Sequence, residues 1–183
     1  MKKAVLIFAA IALASAAAFA QKAPDFSGTW TLDKERSDLN DRSQIETMTM
    51  TVEQTAESLK VATETKRTAP QGGGQGPAGR RGGPGGGGRF GGADGKFTYS
   101  LTERETTTEQ ATPRGPVPVK LSAKLDGATL KLTQKRTFSG QMGEVTATSK
   151  EDWSLSADGK TLTVKRSLES PMGTNTSTLV FTK

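Results

Sequence analysis

The sequence predicts an all-β protein, an antiparallel up-and-down barrel of eight to ten strands interrupted by one long disordered Gly-rich loop. Three observations carry that expectation. Short runs along most of the chain alternate apolar and polar side chains with a period of two, Gly, Asp and Ser separate the runs, and helical spacing is essentially absent beyond residue 20. A sheet with one apolar face must bury that face, and its edges stay adhesive unless the sheet closes on itself, which a barrel achieves. An outer-membrane barrel would need an apolar outward face with aromatic girdles, whereas one face here is Thr, Ser, Lys and Glu.

The elements follow in chain order. Lys2 and Lys3, the apolar stretch from Ala4 to Leu13, and Ala18-Phe19-Ala20 read as a signal peptide over residues 1–20, cleaved after Ala20. Its apolar stretch is too short for the roughly 20 residues a membrane-spanning helix needs, and no later segment is apolar enough to cross as a helix. The expectation is a mature chain 21–183, periplasmic or secreted, with no transmembrane segment and a single domain. A short strand surrounds Trp30. Thr47 to Val52 turns Met48, Met50 and Val52 to one face, and Leu59, Val61 and Thr63 alternate with Lys60, Ala62 and Glu64. Positions 71–95 hold 14 Gly, too little side chain to form a core, so the barrel is expected to be interrupted by disorder over residues 68–95.

After that interruption Phe97, Tyr99 and Leu101 share a face, followed by Val117 to Leu125 at odd positions, Leu130 with Leu132, Trp153 with Leu155, Leu162, Val164 and Leu168, and Leu179 with Phe181. If Asp126-Gly127 is a two-residue type I′ turn, Leu125 opposes Ala128, Ala123 opposes Leu130, and Leu121 opposes Leu132. If Asp158-Gly159 turns likewise, Leu155 opposes Leu162, Trp153 opposes Val164, Asp152 opposes Lys165 and Glu151 opposes Arg166. The last pair then shares the inward face of Trp153.

Composition narrows function more than it names it. Of the apolar residues, 17 lie in positions 1–20, leaving 43 of 163 for a modest core. Without Cys there is neither a disulfide nor a thiolate metal site. The absence of His removes the usual general base, the usual partner of a nucleophilic Ser and the commonest metal ligand. The expectation is a protein that is not an enzyme and uses no metal or organic cofactor.

Gly28-Thr29-Trp30, at the start of the first strand, resembles the G-x-W motif of lipocalins, and Trp153 to Val164 (WSLSADGKTLTV) resembles a late segment of small exported bacterial proteins described as lipocalin-like. The resemblance implies a barrel whose Trp sits at the closed end beneath an Arg from a late strand. Arg166 is the first candidate for that Arg and Arg136 the second. It also implies a lumen that binds a small apolar or amphipathic molecule. Trp30, Met48, Met50, Tyr99, Trp153 and Arg166 are the candidate ligand-binding residues, each weighed against ordinary core packing. Arg80, Arg81 and Arg89 form the second candidate, because residues 66–96 hold six basic groups and one acid while the rest of the mature chain is nearly neutral. These arginines would make a spacer or contact an anionic envelope surface; nucleic acid is disfavoured for an exported chain. The alternative to a lumen binder is therefore a cell-envelope interaction or structural module.

Overall fold

A computed structural model describes residues 23–39, 45–68, 95–112, 115–140 and 143–183. The leader 1–20, most of the Gly-rich run, and with it Arg80, Arg81 and Arg89, lie outside the described residues. Among the described residues ten strands occur in chain order: β1 (Gly28–Asp33), β2 (Ile45–Gln54), β3 (Ser58–Arg67), β4 (Gly95–Ser100), β5 (Thr106–Thr112), β6 (Gly115–Asp126), β7 (Thr129–Gly140), β8 (Gly143–Leu155), β9 (Thr161–Ser170) and β10 (Gly173–Thr182). All pair antiparallel in one sheet of order β4-β3-β2-β1-β10-β9-β8-β7-β6-β5. The first and last strands meet, Leu32 opposite Phe181, and this pairing curls the meander into a nearly closed barrel. The remaining opening lies between β4 and β5, which no ladder joins; there Thr106 Oγ1 donates to the Thr98 carbonyl at 3.3 Å.

The period-two pattern decides which way each side chain faces. Met48, Met50 and Val52 on β2, Leu59 and Val61 on β3, Phe97 and Tyr99 on β4, and Val119, Leu121 and Ala123 on β6 are all buried. Strand β5 is the exception: its inward side chains are Thr106, Thr108, Gln110 and Thr112, so it carries no apolar alternation. Two ends follow from the strand directions. One carries the β2–β3, β4–β5, β6–β7 and β8–β9 connections and is plugged by Phe26, Trp30, Trp153 and Leu162. Phe26 meets Trp153 edge to face at 6.1 Å. Gln54 anchors the plug, accepting from the Phe26 amide at 3.0 Å and donating to the Pro24 carbonyl at 2.9 Å. The opposite end carries the connections β1–β2, β3–β4, β5–β6, β7–β8 and β9–β10. Leaving β1, the chain keeps to the flank of β10: the Val180 amide donates to Ser37 Oγ at 2.9 Å and Asp38 N to the Thr178 carbonyl at 2.7 Å.

The β8–β9 register is as expected, with Leu155 opposite Leu162, Trp153 opposite Val164, Asp152 opposite Lys165 and Glu151 opposite Arg166. The β6–β7 register differs by two residues: Leu125 opposes Leu130, Ala123 opposes Leu132, and Asp126 opposes Thr129. The central pair of that turn is Gly127-Ala128 instead of Asp126-Gly127, with Gly127 at φ +59° and Ala128 outside the positive-φ region. A turn of II′ type needs positive φ only at its first central residue, so Gly127 leads it. Asp126 is thereby free to bind Lys131 Nζ at 2.7 Å. A shift of two preserves the face, so the inward set is unchanged.

Candidate binding site in the barrel lumen

Half-way along the lumen the inward side chains change from apolar to polar. Alternation on β7 continues from Leu130 and Leu132 to Gln134 and Arg136; on β8 it runs from Trp153 to Glu151 and Ser149; on β9 it passes from Leu162 and Val164 to Arg166. Tyr99 and Phe97 on β4 face them, as do Met50 on β2 and Val61 and Thr63 on β3. Together they enclose a cavity of about 40 Å³, room for roughly two or three water molecules.

Each polar group is held by its neighbours. Glu151 accepts from Arg166 Nε at 2.7 Å with one carboxylate oxygen and from the Trp153 indole N–H at 2.9 Å with the other. The Arg166 and Glu151 side chains are 20% and 12% exposed, so this ion pair is largely withdrawn from water. Arg136 donates an outer guanidinium N–H to Gln134 Oε1 at 3.0 Å, and its guanidinium carbon lies 5.9 Å from the centre of the Phe97 ring. Gln134 Nε2 in turn donates to the Tyr99 hydroxyl. A guanidinium offers donors only, so Gln134 must turn its oxygen to Arg136 and its nitrogen to Tyr99. The Tyr99 oxygen is then an acceptor in this chain and its own proton is unspent. Arg136 Nε is buried and has no hydrogen-bond partner. Burial holds the Arg136 guanidinium below its usual pKa. Burial, then the Glu151 charge, pushes Tyr99 well above the usual phenol value, so its proton stays on.

The cluster is bounded on both sides by apolar surface. Towards the plugged end lie Trp153, Leu132 and Tyr99 itself. Towards the other end the inward face continues through Met48 and Ala147, both buried, to the half-buried Val145, Phe138 and Leu168. Phe138 and Val145 sit opposite each other across the β7–β8 ladder.

No family model, curated protein or solved structure matches the chain. The site therefore stands on its own geometry. Of the residues singled out from sequence, Met50, Tyr99, Trp153 and Arg166 line this cavity. Met48 lies beyond it on the same face of β2, and Trp30 belongs to the end plug, its indole N–H bonded to the Phe26 carbonyl at 2.9 Å.

The expected arginine over Trp30 is corrected. Arg166 is held in mid-lumen by Glu151, and Arg136 by Gln134; the cation on the Trp30 ring is Lys183 Nζ, 4.4 Å from its centre. The ladder explains the exchange: Arg166 opposes Ser177 while the Trp30 end of β10 opposes Thr161 and Leu162, several residues away. Gly28 completes the arrangement. Its φ is +134°, and a Cβ there would come within 2.7 Å of Lys183 Cε, so the Gly and the Trp of the motif together make the bed for the Lys chain. Gln134, Phe97, Thr63 and Arg136 as a cavity residue were not anticipated. Continuing the parity of Leu130 and Leu132 two steps further along β7 would have found Gln134 and Arg136.

Proposed function

We propose that the protein is exported to the periplasm or the medium and that its barrel, lipocalin-like in use, binds a small, partly apolar molecule in the lumen without covalent chemistry, a metal or an organic cofactor. The observation that carries this reading is the cluster of charged and hydrogen-bonding side chains turned into an otherwise apolar interior, around a cavity they leave open. Withdrawing two guanidiniums and a carboxylate from water is costly, and well-packed apolar residues in such positions are often as stabilising or more so. A barrel serving only as a scaffold gains nothing from the cluster, whereas a binder gains orientation and specificity from a few polar groups among apolar ones. The cavity suits a polar head, and the apolar remainder of a ligand would rest against Val145, Phe138 and Leu168.

Native mass spectrometry and solvent extraction of protein purified from its own compartment test the reading. A small molecule that is lost on unfolding supports it. A mass equal to the bare chain, together with no change in tryptophan emission on adding amphipathic molecules, overturns it and leaves the envelope-contact module, acting through Arg80, Arg81 and Arg89.

A further inference from the structure

Resting on the lumen-binding reading above, we infer that the lumen takes a singly charged anionic amphiphile, an alkyl carboxylate, whose head is received by Arg136 Nε–H and the Tyr99 hydroxyl. The argument begins from what the cluster still has to offer. Gln134 has its oxygen on Arg136 and its nitrogen on Tyr99, and Glu151 has spent one oxygen on Arg166 and the other on Trp153. The Thr63 and Ser149 hydroxyls can donate or accept, and the other unspent groups are donors. Arg136 Nε–H is buried without an acceptor, the Tyr99 proton has none in the chain that Gln134 completes, and Arg166 commits only Nε to Glu151. An unmade hydrogen bond at a buried N–H is unfavourable, so the site is poised for a ligand that brings acceptors.

Charge sharpens the chemistry. Two guanidiniums face one carboxylate, a surplus of one positive charge in a space largely closed to water. One negative charge neutralises the cluster; a dianion would leave a net charge of the opposite sign and bear its own desolvation, and a cation would add to the surplus. A carboxylate matches in number of charges and in its two planar acceptor oxygens, which suit the fork of an arginine. The half-buried collar of Val145, Phe138 and Leu168 beyond the head position supplies apolar contact for an alkyl chain.

The purified protein is titrated with octanoate, 1-octanol and octylammonium at neutral pH, read by calorimetry and by tryptophan emission, to which Trp153 in the cavity wall contributes. Octanoate is expected to bind at least about tenfold more tightly than octanol, the worth of one charge-assisted hydrogen bond, and octylammonium not to bind. Arg136→Met should weaken octanoate about tenfold or more and leave octanol unchanged. Tyr99→Phe, which keeps the ring and removes only the hydroxyl, should weaken octanoate several-fold and provides an independent test should Arg136→Met not fold. Equal binding of octanoate and octanol, or folded variants that bind octanoate like the parent, overturns the anion inference and leaves the lumen-binding reading standing. Binding of none of the three overturns both.

Discussion

Replacing Glu151 with Gln tests the interior cluster most directly, because the change preserves volume and alters only charge and one hydrogen-bonding group. Both oxygens of Glu151 accept, from Arg166 Nε at 2.7 Å and from the Trp153 indole at 2.9 Å. A glutamine has one acceptor and one donor at these positions, so its amide nitrogen must face an N–H whichever way it turns, and one buried donor is orphaned. The variant also leaves Arg136 and Arg166 in the lumen with no anion between them. Breaking a fully buried pair costs about 3–5 kcal/mol; with side chains still 20% and 12% exposed, the expected loss is about 2–4 kcal/mol, on the order of 10 °C in Tm. Urea unfolding followed by circular dichroism at about 0.05 M and about 0.5 M NaCl measures it, and the loss should persist in high salt because the pair is shielded from mobile ions. Adding Arg166→Met to Glu151→Gln should recover much of the loss, since the orphaned charge leaves with its partner. A change within about 0.5 kcal/mol, the range of uninvolved surface sites, would refute the reasoning, as would a loss that disappears in salt.

Other expectations are more local. Gly28→Ala should cost about 2 kcal/mol in thermal unfolding, and Gly28→Asn should give no rescue, because φ of +134° lies far from the left-handed well near +57° that Asn tolerates. Lys183→Met keeps the chain over Trp30 but removes the charge 4.4 Å from its ring, and a loss of about 0.5–1 kcal/mol should appear only while Trp30 is intact, as a double-mutant cycle with Trp30→Leu would show. Asp158 is held below the usual carboxylate pKa, first by the Ser156 hydroxyl and then by the Lys160 amide. A depressed folded-state pKa gives stability that is complete above the ordinary value of 3.8 and lost as pH falls through the folded one, so an Asp158→Asn variant should fall short of the parent at neutral pH and the gap should close in acid. Denaturation midpoints between neutral pH and roughly pH 2 would check this.

The strands with an apolar inward face were legible in the sequence because alternation is itself the physical cause of their burial: Met48 to Val52, Val119 to Ala123 and Leu162 to Val164 could face no other way in a one-sided sheet. The same reasoning placed Glu151 opposite Arg166, since the Asp158-Gly159 turn fixes the β8–β9 register. Strand β5 was not legible. Thr106, Thr108, Gln110 and Thr112 give no hydrophobic signal, and their place in the barrel comes from the ladder to β6. The β6–β7 register was ambiguous for a different reason: Gly127 can be either central residue of a two-residue turn, and both choices keep Leu125 and Leu130 on one face. Half of the site lay hidden in a similar way. Gln134 is a polar residue on an inward face, which a local reading sends to solvent, and Arg136, the second candidate for the arginine over Trp30, lies in mid-lumen instead. The Lys183 contact with Trp30 joins the two extremities of the described barrel, which no local pattern records.

Strands β1 and β10 are the first and last of the barrel, yet they lie side by side, while β4 and β5, separated by only five residues, do not pair. Every other ladder is a hairpin between neighbours in sequence, so each can form as soon as its two strands exist. The β1–β10 ladder alone must bridge nearly the whole chain, and its loop-closure cost makes it the slow, final step. In a chain made or exported N-terminus first, β1 emerges without its second neighbour and waits, one edge bare, until β10 arrives. The lumen and its charged cluster therefore stay open to water until the last strand docks. A permuted chain that joins the present ends and begins between Leu101 and Glu105 would make every pairing local and should fold faster to the same barrel.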